Sequence, residues 1–226
     1  MNTCVCAVIL AAGSGSRMKL DITKQKIVLG NESGLHRTVR IFNNTDSIDS
    51  IVVVCRKDET AFATEEVSEF SKVRCVVVGG ETRFESAKLG FFAIPTDAEY
   101  VAIHDAARCF VTSDMLSAVV YDAKKYGAAT ASAKVTDTVK SVGADNQISA
   151  TIDRDTLVSV QTPQIFRVDL YKKALDAYDG SINITDDNML VELIGVKPYC
   201  TNTGKCNFKL TTDDDLAFAN YLLSGE

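Results

Sequence analysis

From Val5 to Leu10 the chain reads VCAVIL and passes directly into Ala11-Ala12-Gly13-Ser14-Gly15-Ser16-Arg17-Met18, with Lys24 further on. A strand that is apolar at consecutive positions has no solvent face, so this one must be buried on both sides. The small residues at 11 to 16 let the backbone approach a ligand, and successive N–H groups in such a turn form an anion-binding concavity. Arg17 and Lys24 add full positive charge to it. Polyphosphate is the ligand this loop suits best.

What the loop lacks separates it from other glycine-rich loops. A Walker A loop needs Gly-Lys-Ser/Thr after four intervening residues, and Met18 stands where its second glycine would be. A dinucleotide fingerprint needs a third glycine and an acidic residue ending the second strand, but Ile51 to Cys55 runs into Arg56-Lys57. Two glycines alone fit a plain strand-to-helix turn equally well. The cations at the loop's exit favour a site.

Strands and helices then alternate. Short apolar runs at Cys4 to Leu10, Ile51 to Cys55, Val73 to Val78, Tyr100 to His104 and Ala128 to Ala133 read as strands. Helices are expected at Leu35 to Phe42, Glu59 to Phe70, Arg83 to Phe92 and Asp114 to Tyr126, the last capped by Thr112 or Ser113. This is an α/β, Rossmann-like, doubly wound pattern with a mostly parallel sheet, in which ligands bind beyond the carboxyl ends of the strands. The Gly-rich loop, Gly79-Gly80 and Asp105 all fall there.

The stretch 134–160 breaks the alternation. Polar and β-branched residues surround the turn Gly143-Ala144-Asp145-Asn146, predicting a protruding β-hairpin arm with little apolar surface for a core of its own. Such an arm usually pairs with something else. Beyond Gln161-Thr162-Pro163-Gln164, helices are expected near Val168 to Tyr178, from Asp186 to Ile194 with Thr185 as cap, and after Thr212. Asp213, Asp214 and Asp215 suit the positive end of that last helix and read as structural.

At 226 residues and 46% hydrophobic content, one single-domain core is expected across 1–226, with 134–160 as an arm. The net charge of −6 argues against nucleic-acid or membrane-surface binding, so an anion site must be a local basic cluster. Seven cysteines without a C-x-x-C, and only two histidines, suggest buried reduced thiols. Met1 lies so near the first strand that no targeting peptide is expected, and no apolar run is long enough for a membrane span, which points to the cytoplasm.

Chemistry concentrates in a few places. His104-Asp105-Ala106-Ala107-Arg108 puts a carboxylate at the ligand edge of the sheet, making Asp105 the preferred metal ligand, with a simple turn cap as the alternative. His104 reads as a hydrogen-bonded structural residue. Gly79-Gly80-Glu81-Thr82-Arg83-Phe84-Glu85-Ser86 opens a helix whose N–H groups and Ser86 suit a base or ribose, or merely form a cap. Asp137-Thr138, Asp153-Arg154 and Lys209 read singly as solvated surface residues, yet together supply groups for a second phosphate.

The runs LAAGSGSRM, TKQ, GGETRFES, HDAAR, DTVK, DR, QTPQIF, TDD and NFKLTT, in this order, span nearly the whole chain. Together they resemble the 2-C-methyl-D-erythritol 4-phosphate cytidylyltransferases. A sister group, the polyol-phosphate cytidylyltransferases that act on ribitol 5-phosphate, shares most of these runs but tends to Gly-Gly at Ala11-Ala12 and a bulkier residue at Ala107, so the erythritol enzymes are favoured. The resemblance implies that Ala11, Ala12, Gly13 and Gly15 line the nucleotide and that Arg17 and Lys24 hold the triphosphate. It implies further that Gly80, Glu81 and Ser86 contact cytosine, that Ala106 lies against the ribose and that Asp105 serves Mg²⁺. Arg108, Thr138, Arg154, Thr162 and Lys209 would surround the acceptor phosphate or the α-phosphate of CTP, with Arg17, Lys24 and Lys209 catalytic. The family is a homodimer whose arms lend Thr138, Arg154 and Thr162 to the neighbouring site. Departures from its pattern are Thr23 and Cys109, where proline is usual, and Asn188 after Asp187.

A phosphomonoester oxygen is already anionic at neutral pH, so it needs no general base to attack the α-phosphorus of CTP in line and expel pyrophosphate. Positioning two anions and neutralising their repulsion is the main task. A non-catalytic nucleotide-binding domain, or an NADP-linked reductase using Arg56, are the competing readings from other classes.

Overall fold

The computed structural model describes residues 4–13 and 26–225. Its strands are β1 (Val5–Ala11), β2 (Val28–Leu29), β3 (Glu32–Ser33), β4 (Ser50–Cys55), β5 (Val73–Val78), β6 (Tyr100–Asp105), β7 (Ala128–Lys134), β8 (Val139–Val142), β9 (Ile148–Ile152), β10 (Val158–Arg167) and β11 (Tyr199–Asn202). Its helices are α1 (Gly34–Asn43), α2 (Thr60–Glu66), α3 (Arg83–Phe92), α4 (Ser113–Tyr126), α5 (Val168–Ala177), α6 (Asp187–Glu192) and α7 (Asp213–Ser224). The main sheet has the order β11-β7-β10-β6-β1-β4-β5. β10 runs antiparallel to both its neighbours, and the other recorded pairings in this sheet are parallel.

All seven residues of β1 are buried, and their alternation builds two separate layers. Val5, Ala7, Ile9 and Ala11 join Leu35, Val39 and Phe42 of α1 and Leu116 and Val119 of α4. Cys6, Val8 and Leu10 join Ala87 and Phe91 of α3, Tyr171 of α5 and Leu190 of α6. A period-2 strand between two helical layers needs apolar residues at every position, and each large side chain so buried contributes about 1.5–3 kcal/mol. Gly90 sets how closely α3 approaches: a Cβ there would lie 2.4 Å from Val8 Cγ1 and 2.8 Å from Val54 Cγ2. A third cluster of Ile27, Leu29, Cys109, Leu210 and Ala219 seats α7.

Several expectations require correction. The helix expected to reach Phe70 stops at Glu66 and is preceded by a 3-10 turn, Lys57–Glu59. Asp186, not Thr185, caps α6, its carboxylate accepting from the Met189 N–H at 3.0 Å, while the Thr185 hydroxyl faces the Met189 sulfur. Only Cys6, Cys55 and Cys109 are buried, Cys4 and Cys75 are half-buried, and Cys200 and Cys206 are exposed. All seven are free thiols.

The arm is shorter than 134–160. Lys134 ends β7 and Val158–Val160 opens β10, so the part standing apart is the separate two-stranded sheet of β8 and β9 with its flanking turns. The sheet strands β10 and β11 are additions to the strands expected from the sequence. Val142, Ile148, Val158 and Val160 are exposed on and beside the arm.

Candidate functional site

β6 carries the site's carboxylate. His104, its penultimate residue, is fully buried against Phe42, with ring centroids 4.8 Å apart. Its Nδ1 lies 3.1 Å from Thr162 Oγ1 and its Nε2 3.3 Å from the Arg108 carbonyl. Burial pushes the imidazole pKa down to about 3, outweighing the pull of Asp105, so the ring is neutral. This is the structural role expected of it.

Asp105 follows, and its own N–H donates to Thr162 Oγ1 at 3.0 Å. Arg83 Nε donates to Oδ1 at 3.0 Å and Lys209 Nζ to Oδ2 at 2.6 Å. Burial alone would raise the carboxyl pKa, but Arg83, Lys209 and Arg108 outweigh it and hold the group well below the usual range. It is therefore ionised. Lys209, read singly as a solvated surface residue, is instead an ion-pair partner across 104 residues of sequence.

Arg83 was not a candidate residue, yet it connects the site to α6. Its Nη1 donates to Asp187 Oδ2 at 2.7 Å, and Tyr171 Oη donates to Asp187 Oδ1 at 2.6 Å. The Asp187 N–H in turn donates to Gln164 Oε1 at 2.8 Å. Burial opposes the guanidinium charge, but the two carboxylates raise its pKa above the ordinary value. Arg83 Nη2 and Arg108 Nε are buried without a hydrogen-bond partner among the described residues. Both unused donors belong to residues joined to this cluster.

The remaining candidates are placed as follows. Arg108 Nη1 donates to the Asn207 carbonyl at 2.8 Å, and burial lowers its pKa. Thr162, expected to be lent by the arm to a neighbouring site, instead lies off the arm beside Asp105 and His104 of its own chain, buried in a bulge of β10 where Val160 to Gln164 on that strand faces Ser132 to Thr130 of β7. Ala106 is buried, its N–H donating to the Leu10 carbonyl at 3.0 Å. Ala11 ends β1, with Ala12 half-buried and Gly13 exposed beyond it. A Cβ at Gly79 would lie 2.7 Å from Ser86 Oγ and 2.8 Å from Ala12 Cβ, so glycine brings the exit of β5 against the Gly-rich loop. The Gly80 N–H donates to Ser86 Oγ at 3.2 Å, while Glu85 accepts from the Glu81 and Thr82 N–H groups in a capping box. Gly15, Arg17 and Lys24 lie outside the described residues.

The arm residues stand elsewhere. Thr138 and Arg154 are exposed, and the recorded partner of the Arg154 guanidinium is the Thr136 carbonyl, 2.6 Å away within the arm. The base of the arm is tied to the Lys209 loop by Lys205 Nζ, 2.5 Å from Thr136 Oγ1. Asn188, one of the departures, is buried and donates to Thr130 Oγ1 and Asp186 Oδ2, and Arg37 Nε donates to the Cys109 carbonyl.

A doubly wound sheet with a small-residue loop after its first strand, and a cation-clasped carboxylate at the end of a neighbouring strand, defines an α/β protein with its site at the carboxyl edge of the sheet. Residues 5–225 match the family model described as 2-C-methyl-D-erythritol 4-phosphate cytidylyltransferase. Relatives of that name from Clostridium novyi and Geobacter metallireducens are both 40% identical; alignment covers 96% of both chains with the first and 95% of both with the second. The crystal structure of 4-diphosphocytidyl-2C-methyl-D-erythritol synthase from Anaerococcus prevotii superposes with a TM-score of 0.89 at 30% identity, covering 99% of this chain and 97% of that one. The chain belongs to the 2-C-methyl-D-erythritol 4-phosphate cytidylyltransferase family, and it is an enzyme of the cytidylyltransferase class.

Proposed function

We propose that this chain transfers a cytidylyl group from CTP to 2-C-methyl-D-erythritol 4-phosphate, giving the CDP-alcohol and pyrophosphate. The observation that carries the reading is the cluster at the end of β6, where ionised Asp105 holds Lys209 beside Arg108, next to the end of β1. The acceptor's phosphate oxygen attacks the α-phosphorus in line. Lys209, with Arg17 and Lys24, offsets the charge gathered there, and no general base is needed. Gly80, Glu81, Ser86 and the loop residues Ala11, Ala12, Gly13 and Gly15 serve the nucleotide, with Ala106 at the ribose. Arg108 and Thr162 serve the acceptor phosphate.

Asp105 fits a hard cation, because an ionised carboxylate oxygen is the donor Mg²⁺ prefers. Among the described residues no group of three or more His, Cys, Asp or Glu side chains forms a cage, so phosphate oxygens would supply the other ligands. Magnesium, when bound, neutralises phosphate charge; Asp105 would hold it, and Lys209 would leave Oδ2 for the α-phosphate.

The arm completes a homodimer. Exposed Val142, Ile148, Val158 and Val160 favour burial against a second copy, which would bring Thr138 and Arg154 to the neighbour's acceptor phosphate. We place the enzyme in the cytoplasm, where its substrates are soluble. Among the described residues no helix is long and apolar enough to cross a membrane.

Pyrophosphate release with CTP and a panel of polyol phosphates tests the reading. Fastest turnover is expected with 2-C-methyl-D-erythritol 4-phosphate. Preference for ribitol 5-phosphate would reassign the acceptor, and CTP binding without pyrophosphate release would make the chain a binding module.

A further inference from the structure

Arg83 is the one described side chain recorded as bridging Asp105 to a second carboxylate, and that carboxylate is buried. Asp187 is 1% exposed, and nothing in the chemistry above uses it. Each of its polar groups is nonetheless committed: Oδ2 to Arg83 Nη1 at 2.7 Å, Oδ1 to Tyr171 Oη at 2.6 Å, and its N–H to Gln164 Oε1 at 2.8 Å. Tyr171 is itself fully buried between Phe91 and Phe166, with ring centroids 4.9 and 5.4 Å away. The anchor of this chain of contacts is thus the apolar layer beneath α3 and α5, and its free end is the Asp105 carboxylate.

We propose that Asp187 is a positioning residue for cytidylyl transfer: clamped by Tyr171 and Gln164, it fixes the Arg83 guanidinium, which in turn fixes the Asp105 carboxylate from which Lys209 is delivered. The inference rests on the assignment of Asp105 and Lys209 to the reaction. A guanidinium is planar and rigid, so holding one edge on Asp187 sets where Nε points. Asp105 Oδ1 is then held on the body side, and Oδ2 is left to Lys209, which is about one-third exposed and able to leave. Without the clamp, Arg83 would turn on Asp105 alone. The buried and unpartnered Nη2 gives it no other fixed bond among the described residues.

Asp187→Asn keeps the shape and the Tyr171 bond but turns an amide toward Arg83 Nη1, donor against donor. A misplacement on the order of 1 Å at a reacting group can reduce rate by about 10²-fold, so kcat should fall roughly 10- to 100-fold. KM for CTP and for the acceptor should stay within about twofold, because Asp187 is buried and presents no surface to a ligand, so the loss should fall on the transition state. Tyr171→Phe, which removes one restraint and keeps the ion pair, should lower kcat by a smaller factor in the same direction. The Arg83 Nε–H resonance in ¹⁵N-arginine-labelled enzyme should exchange faster with solvent in both variants than in the wild type.

If Asp187→Asn does not fold, Arg83→Lys carries the test, since an ammonium keeps the charge but cannot span both carboxylates in a fixed plane; it should show the same split of kcat from KM. Normal kcat per folded molecule, or an unmoved Arg83 Nε–H, would overturn the proposal. Asp105→Asn run alongside separates the two levels. An inactive Asp105→Asn beside a fully active Asp187→Asn removes the positioning role alone, whereas an active Asp105→Asn removes the assignment on which it rests.

Discussion

The charges around Asp105 and those on the arm are made of the same residue types, yet they are held in opposite ways. Asp105, Arg83, Asp187 and Lys209 come from β6, α3, α6 and the loop before α7, and each is fixed by a partner far away in sequence. Thr138 and Arg154 are exposed, and the recorded Arg154 contact lies within the arm. Buried ions need such partners, since an unpaired one destabilises by about 3–5 kcal/mol. Exposed ions have water instead, and contribute little to stability. The body cluster therefore finds its ion-pair partners within one chain, whereas the arm's charges, in the dimer proposed above, would find theirs at a neighbouring site.

The comparison breaks most readily at the loop after β1. Arg17→Ala or Lys24→Ala should lower kcat by about 10²- to 10³-fold with the fold intact, the effect of removing one preorganised charge-stabilising group. Steady-state pyrophosphate release and circular dichroism on the same preparation check it. Near-normal kcat in either variant would mean that the polyphosphate charge is met elsewhere.

Within the body cluster, Asp105→Asn retains the shape and removes the charge that a hard cation and Lys209 both require. Activity should fall by about 10²-fold, and the apparent magnesium requirement should rise in a metal titration. Unchanged activity and metal dependence would reduce Asp105 to the turn cap considered from the sequence.

The arm predicts a different kind of result, because its lesion should be repairable by another chain. Mixing Lys24→Ala with Arg154→Ala subunits under exchange gives dimers of which about half are mixed, each with one intact site, hence about a quarter of wild-type activity. Mass-tagged chains confirm exchange. If Arg154 acted in its own subunit, every site in a mixed dimer would keep one lesion and no activity would return.

The difference between the two regions also explains what the sequence revealed. β1, β4 and β6 are legible because apolar residues stand on both of their faces, and the edge strand β5, with Arg74 exposed, and β7, with Thr130 and Ser132, show as short Val-rich and Ala-rich runs; in each the signal is local. β10 is not. It is a central strand that buries Gln161, Thr162 and Gln164 and contains Pro163, a composition that argues against a central strand. The structure accommodates these residues by a bulge and by distant partners: Gln164 Oε1 accepts the Asp187 and Asn188 N–H groups, and Gln161 Oε1 accepts from Asn207 and Thr203. Asp105 was legible as a carboxylate ending an apolar strand. Arg83 and Asp187 were visible only as parts of runs that also read as helix starts, because their bond spans 104 residues and leaves no periodic trace.

A third group of charges, neither buried in the site nor on the arm, tests the smallest effect. His36 lies between Glu32, 3.0 Å from Nδ1, and Glu69, 2.7 Å from Nε2, with its side chain 24% exposed. Burial works against its charge, but the two carboxylates outweigh this and raise its pKa above the ordinary value. A histidine whose folded pKa exceeds its unfolded value, about 6.5, contributes its full stabilisation below that pH and loses it as pH rises through the folded value. His36→Gln, which hydrogen-bonds without titrating, should therefore be less stable at pH 6 by about 1 kcal/mol, or about 2–4 °C in Tm for a chain of this size. At pH 8.5 the gap should close. Glu32 keeps Arg37 and Arg40 as partners throughout, so the carboxylate does not lose its own compensation. Thermal unfolding of both proteins at the two pH values decides the matter, and a Tm gap of equal size at both would show that the imidazole packs there, against Phe70 at 4.9 Å, without its charge contributing.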